Sequence, residues 1–255
     1  MYGIVLSRRD FRESDQIISI LTADEGKQEY IARGIKKIIS KNTSHLEPCS
    51  LVSFGIAHGK KEFSYLPDVQ PVEQFFYIRT SLQKLHIVGY SVDAILNTLK
   101  DGEEDKKVYH FFLSFLKFFD TAEKIRLFLL DGFLIKLFSH LGYHPVIDAC
   151  VVCKKSYKDI GLEFLKQELQ PGWYFAGGGM VCCSCKIEKQ KIGETVLVCG
   201  LKEISTLEFL LRSDWKDILE YKLEKDEYKK IHKLIYEFVL YHSEKKWKDW
   251  GKMMG

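Results

Sequence analysis

Four cysteines stand in two Cys-x-x-Cys pairs, Cys150 with Cys153 and Cys182 with Cys185. Two thiolates converge on one metal ion at about 2.3 Å when two intervening residues form a tight turn, and two such knuckles close a tetrahedron. A site closed by four thiolates leaves no coordination position for water, so the spacing predicts structural zinc and not a catalytic metal. Cys183 leaves the ligand set open, because it could replace Cys182. Reduced, metal-free cysteines are the alternative. The gap between the knuckles exceeds the usual ribbon spacing and reads as a strand-turn-strand excursion. Cys49 and Cys199 stand alone and read as plain buried thiols.

No other constellation suggests bond-breaking chemistry. Gly177, Gly178 and Gly179 follow no clear strand and precede no Lys-Ser/Thr, so they read as a flexible turn beside the second knuckle. His140 and His144 share helical spacing without a glutamate between them, and read as surface histidines at a helix end. No carboxylate cluster suits magnesium, which argues against a nuclease. The expectation is a protein that is not an enzyme.

The net charge of +3 is too small to identify a nucleic-acid binder. Local runs say more. Lys27, Arg33, Lys36, Lys37 and Lys41 fall within residues 26–45 against a single acid, Glu29, and the stretch after 240 holds Lys245, Lys246, Lys248 and Lys252 against Glu244 and Asp249. A solvated surface is the simplest reading of such runs. Residues 125–141 are the most apolar segment, but Arg126, Asp131, Lys136 and His140 interrupt it, so it reads as a buried helix and not a membrane span. The start shows no secretory pattern. A cytosolic location is expected, where closely spaced cysteines more often hold metal than form disulfides.

These residues need elements to position them. "YGIVLS", "QIISIL", "QEYIARG", "SLVSFGIA" and "EFSYLPDV" are short runs rich in β-branched and aromatic residues, with alternation clearest at Val52, Phe54 and Ile56. Gly26 in "TADEGK" is free to take the positive φ of a hairpin turn. Five short strands predict a small OB-type barrel over residues 1–76. Tyr30, Phe54, Phe63 and Tyr65 on those strands could stack bases, although packing is the simpler role for each. Helical periodicity then marks segments near 78–99, 108–119, 122–141, 201–219 and 225–248, the third apolar almost all round and so central to a bundle. The fold class expected is α+β, a five-stranded OB-type β-barrel followed by a helical domain over 77–255 with a four-cysteine, zinc-ribbon-like insert at about 146–199.

Taken in order, several segments resemble the RecO family of bacterial recombination mediators. They are the "GIVLSRRDFRESDQIISILTADEGKQEYIARGIKK" opening, "LEP" at 46–48, "LGYHPVIDACVVC" with a glycine run before the second cysteine pair, and the closing "FVLYHSEKKWK". The resemblance spans nearly the whole chain, with residues 75–120 matching only in helical pattern. It implies binding of single- and double-stranded DNA and annealing of complementary strands. It also implies help for RecA in displacing single-strand-binding protein, with RecR as partner. Sequence-neutral grip on phosphates needs lysines and arginines, which release condensed counterions. Arg33, Lys36, Lys37 and Lys41 sit where an OB barrel can present them, with Arg8, Arg9 and Lys27 as neighbours. The acidic tail of single-strand-binding protein calls for an apolar groove with a cation at its mouth, for which Lys136 is the candidate. Asp131-Gly132 stands where the family resemblance leads one to expect basic residues. The competing reading is a zinc-stapled protein–protein adaptor with incidental DNA affinity.

Overall fold

Short runs rich in β-branched and apolar residues build three long strands, β1 (Tyr2–Asp10), β2 (Gln16–Thr22) and β3 (Gly26–Ala32), into an antiparallel meander. The computed structural model describes residues 1–36, 44–58, 64–160, 170–243 and 246–252. The fourth expected run divides at Gly55 into β4 (Leu51–Phe54) and β5 (Ala57–His58). The fifth divides at Pro67 into β6 (Ser64–Tyr65) and β7 (Val69–Glu73), because proline cannot donate to a ladder. Five runs thus become a seven-stranded sheet of order β5-β6-β3-β2-β1-β4-β7.

One short passage of chain curls this sheet. Tyr65 pairs in parallel with Ile31 of β3, and the Leu66 N–H donates to the Ile31 carbonyl at 3.1 Å. Past Pro67, Val69 pairs with Phe54 of β4, and Gly55 donates to the Asp68 carbonyl at 3.2 Å. The same segment therefore touches both flanks of the meander. Val5, Ile18, Ile20, Tyr30, Val52, Phe54 and Val69 fill the interior, with Ile56 packed against it. Tyr30 and Phe54 meet edge to face with centroids 5.5 Å apart, so these two rings are core and not stacking platforms. Phe63 lies outside the described residues. The β2–β3 turn is as expected, with Gly26 at φ +64°. A Cβ there would also lie 2.0 Å from the Glu103 carbonyl oxygen.

The chain forms two compact units, Met1–Ile125 and Arg126–Gly255. Helices α1 (Phe76–Arg79), α2 (Leu82–Thr98) and α3 (Lys106–Thr121) belong to the first, where α2 packs on β1 and α3 on β2. Ser81 caps α2 by accepting the Lys84 N–H, and Asp105 caps α3 by accepting that of Val108.

In the second unit, α4 (Phe128–His140) is buried nearly all round, as its composition predicts. Around it pack α6 (Leu201–Arg212), α7 (Trp215–Glu220) and α8 (Lys225–His242). The expected helix over 201–219 is two helices, because Asp214 caps a fresh start at Trp215 by accepting the Asp217 N–H. Helix α8 stops at His242, short of 248. Residues 246–252 instead run back along it, with the Tyr236 hydroxyl donating to the Trp247 carbonyl at 3.1 Å and Trp250 fully buried. Between α4 and α6 lies the cysteine insert, with strands β8 (Gly172–Tyr174), β9 (Gly179–Val181) and β10 (Val196–Val198) in the order β10-β8-β9 and helix α5 (Cys183–Lys191). Among the described residues, no helix is long and apolar enough to cross a membrane.

Candidate metal centre and nucleic-acid interface

The cysteine insert brings its thiols together through backbone pairing. Val146 exchanges hydrogen bonds with the glycine turn, donating to Gly178 at 3.0 Å and accepting from Met180 at 2.9 Å. Val151 then donates to Met180 at 2.8 Å, which hangs the first knuckle on β9. Strand β9 runs directly into Cys182, and α5 begins at the next residue. The Sγ atoms of Cys150, Cys153, Cys182 and Cys185 lie within 4.8 Å of one another, with Cys153 and Cys182 at 3.7 Å. A tetrahedron of metal–sulfur bonds of about 2.3 Å has edges of about 3.8 Å, so the four fit one ion. Cys182 belongs to this cluster and Cys183 does not, although both are buried.

Backbone geometry tunes the thiols. Burial raises the cost of a Cys150 thiolate, but hydrogen bonds from the backbone of Cys153, Cys182 and Val152 outweigh it and bring the pKa down to about 7. Burial pushes Cys182 and Cys185 up. Lys154, at φ 62°, turns the chain out of the first knuckle. Packing requires glycine at 177 and 179, while Gly178 takes a φ of +71° with open space around it. A Cβ on Gly179 would lie 2.2 Å from the Val146 carbonyl oxygen, and one on Gly177 would lie 2.5 Å from the Tyr174 ring. Cys49 and Cys199 are isolated and buried, and burial pushes Cys49 up to about 12. His144 accepts or donates to Ser139 at 2.6 Å, and the four cysteines are the one metal-competent group among the described residues.

The basic side chains divide into two sets by position on the barrel. β1 ends, β2 begins and β3 ends at the same rim, where Asp10 faces Gln16 and Gln16 faces Ala32. Arg9, Arg12, Arg33 and Lys36 are exposed there. The Asp15 carboxylate is nearly buried and accepts the Gly34 N–H at 2.9 Å, and the Ser14 carbonyl accepts the Lys36 N–H at 3.2 Å. Those two bonds hold the 33–36 turn against the β1–β2 loop. The Arg33 guanidinium lies 3.7 Å over the Tyr65 ring, and among the described residues it makes no ion pair. Arg9 pairs with Glu29 at 2.8 Å and Lys36 with Asp10 at 2.7 Å. The Gln16 amide and the Lys36 ammonium hold the Asp10 carboxyl below its usual range. Such solvent-exposed pairs are weak, so phosphate oxygens can compete for their cations. Arg12, whose guanidinium lies 4.9 Å from the Phe11 ring centroid, joins this rim although the sequence reading passed over it. The signal was present in "RRDFR".

Lys27 stands apart from this rim, Arg8 and Lys136 make contacts of their own, and two expected residues lie outside the described ones. Lys27 stands second in β3 at the opposite end of the hairpin, roughly 20 Å from Arg33 at about 3.3 Å per residue. Its ammonium is nearly buried, donating to the Leu96 carbonyl at 2.9 Å and pairing with Asp101 at 3.1 Å, so it closes α2 onto the hairpin. Arg8 pairs with Glu47 at 2.7 Å. Lys136 of α4 donates to the Leu211 carbonyl at 2.9 Å beside the Trp215 ring, and burial pulls its pKa down against the charge of Asp214. Lys37 and Lys41 lie outside the described residues.

An OB-type barrel, a helical unit and a four-thiolate insert in this order match what the motifs imply. Family models for the N-terminal and C-terminal parts of recombination protein O match residues 1–75 and 79–251. The chain belongs to the RecO family. Among curated relatives, the DNA repair protein RecO of Thermoanaerobacter sp. (strain X514) is 25% identical over 97% of this chain and 93% of its own length. That of Symbiobacterium thermophilum is 27% identical over 97% and 93%. That of Geobacter sulfurreducens is 29% identical over 72% and 71%. RecO membership assigns the chain to DNA repair and recombination.

Proposed function

We propose that this RecO chain is a non-enzymatic recombination mediator. It grips single- and double-stranded DNA by phosphates, anneals complementary strands and helps load RecA onto strands covered by single-strand-binding protein. The observation that carries this reading is the gathering of Arg9, Arg12, Arg33 and Lys36 on one barrel rim, beside exposed Phe11 and the Tyr65 ring. Rigidly held cations on a small barrel suit a sequence-neutral backbone contact, and an aromatic face beside them suits an unpaired base. Residues 1–76 are the DNA-binding domain in this reading, with Lys37 and Lys41 continuing the basic run past the described turn, and Arg8 at its margin.

The four cysteines hold zinc. Soft thiolates in a closed tetrahedral set favour it, and the ion replaces an apolar core that the small insert lacks. Its role is to hold shape. RecR is the protein partner. The tail of single-strand-binding protein docks by Lys136, whose ammonium has two N–H donors left after the Leu211 carbonyl. Work on DNA beside RecA places the protein in the cytoplasm, at the nucleoid.

The test is annealing of complementary oligonucleotides across a salt titration, with and without single-strand-binding protein. Annealing that weakens steeply with salt is expected. Failure to bind oligonucleotides at low ionic strength would favour the zinc-stapled adaptor, and cleavage of them would overturn the reading altogether.

A further inference from the structure

Asp131, in the middle of α4, is fully buried. Its Oδ1 accepts the Trp250 indole N–H at 2.8 Å and lies 2.9 Å from His232 Nδ1 on α8. The other ring nitrogen, His232 Nε2, lies 2.9 Å from Asp249 Oδ1. A neutral imidazole carries one N–H and can serve one carboxylate, leaving a lone pair against the other. A ring that donates to both carboxylates carries two protons, one more than the neutral imidazole supplies.

Each of the three groups comes from a different segment, namely α4, α8 and residues 246–252. The last segment is shaped around the ring. Asp249 Oδ1 also accepts the Gly251 N–H at 2.9 Å, and a Cβ on Gly251 would lie 2.4 Å from His232 Nε2. Trp247 and Trp250 point inward while Lys246, Lys248 and Lys252 are exposed. Among the described residues, the groups facing His232 are few. The Tyr228 and Tyr236 rings stack on it at 5.8 and 6.2 Å, Trp250 meets it edge-on at 5.1 Å, and Lys252 lies 3.4 Å from Asp249 on the outer side. Burial and the charge of Asp131 raise the Tyr228 hydroxyl above its usual range, against the charge of Arg126.

We propose that residues 246–252 form a strap which the extra proton of the Asp131–His232–Asp249 bridge holds shut, and which opens when that proton leaves. Closed, the strap seats Trp250 on Asp131 and fixes three lysines facing outward. Open, it frees a basic segment and uncovers a polar seat.

The direction with pH follows from the surroundings of the ring. Burial disfavours the imidazolium, but hydrogen bonds and charge from Asp131 and Asp249 outweigh it and raise the His232 pKa above its ordinary value. Stability from this bridge is therefore present below the ordinary histidine pKa and lost as pH rises through the raised one.

The test is hydrogen exchange at the Trp250 indole N–H in the full chain from about pH 6 to about pH 9, corrected for intrinsic exchange, beside the NMR titration of His232. The indole is assigned with Trp250→Phe. Protection should fall by about tenfold or more over the same pH range in which His232 titrates. In Asp249→Asn the side-chain amide can donate to Nε2 of a neutral ring, so protection should persist and lose its pH step. Protection in the unmodified chain that is flat, or that changes at a pH where His232 does not titrate, would overturn the proposal whether or not the variant folds. So would an unchanged step in a folded Asp249→Asn.

Discussion

The Asp15 carboxylate accepts the Gly34 backbone N–H across 2.9 Å, tying the start of β2 to the turn that follows β3. One nearly buried acid thereby sets where Arg33 and Lys36 stand. Its own carbonyl also accepts the Phe11 N–H at 3.2 Å, so the β1–β2 loop is held by the same residue. Replacing Asp15 by Ala strands a backbone donor, which costs about 1–3 kcal/mol when a buried partner is lost. Asp15→Ala should lower the denaturation midpoint and weaken oligonucleotide binding together.

Neutralising the rim cations should act on binding without that loss of stability. The double substitution Arg33→Ala, Lys36→Ala should shallow the plot of log affinity against log salt by about 1–2, given a slope of about 0.7–0.9 per phosphate contact. Lys27→Met should behave in the opposite way, destabilising the first unit because its ammonium bonds Leu96 and Asp101. A Lys27→Met protein that kept its stability but lost DNA affinity would contradict this division.

Removing one thiol should empty the metal site. Cys150→Ala should abolish stoichiometric zinc in freshly purified protein, measured by elemental analysis, and raise proteolysis within the insert. Cys183→Ala should leave metal content unchanged, since that thiol lies outside the four-sulfur cluster.

Gly179→Ala offers a test of the backbone that carries the knuckles. The added methyl would meet the Val146 carbonyl oxygen at 2.2 Å, and Val146 is the residue that pairs the chain leading to the first knuckle with the glycine turn. Metal should be lost to a chelator faster than from the unmodified protein. Gly178→Ala has open space around it but a φ of +71°, so its cost should be that of left-handed backbone alone, about 1–2 kcal/mol. Equal chelation rates for Gly179→Ala and the parent would refute the packing argument.

Local chemistry was enough to read much of this protein from its sequence. Cys-x-x-Cys knuckles declare themselves because two residues make the turn, short β-branched runs declare the strands, and Gly26 declares its hairpin. The apolar wrap of α4 declares a central helix. These signals are short-range, and each survives whatever the rest of the chain does. What only the tertiary structure decided depends on residues far apart meeting. Cys182 was separated from Cys183 by the direction in which β9 enters α5. Lys27 looked like one more cation in a basic run, until the fold placed Leu96 and Asp101 against it. Asp131 looked like an interruption of an apolar helix, and acquired its meaning from His232 and Trp250, about a hundred residues away. Charge and periodicity are written along the chain, but the partner that satisfies a buried charge is chosen only when the core closes around it.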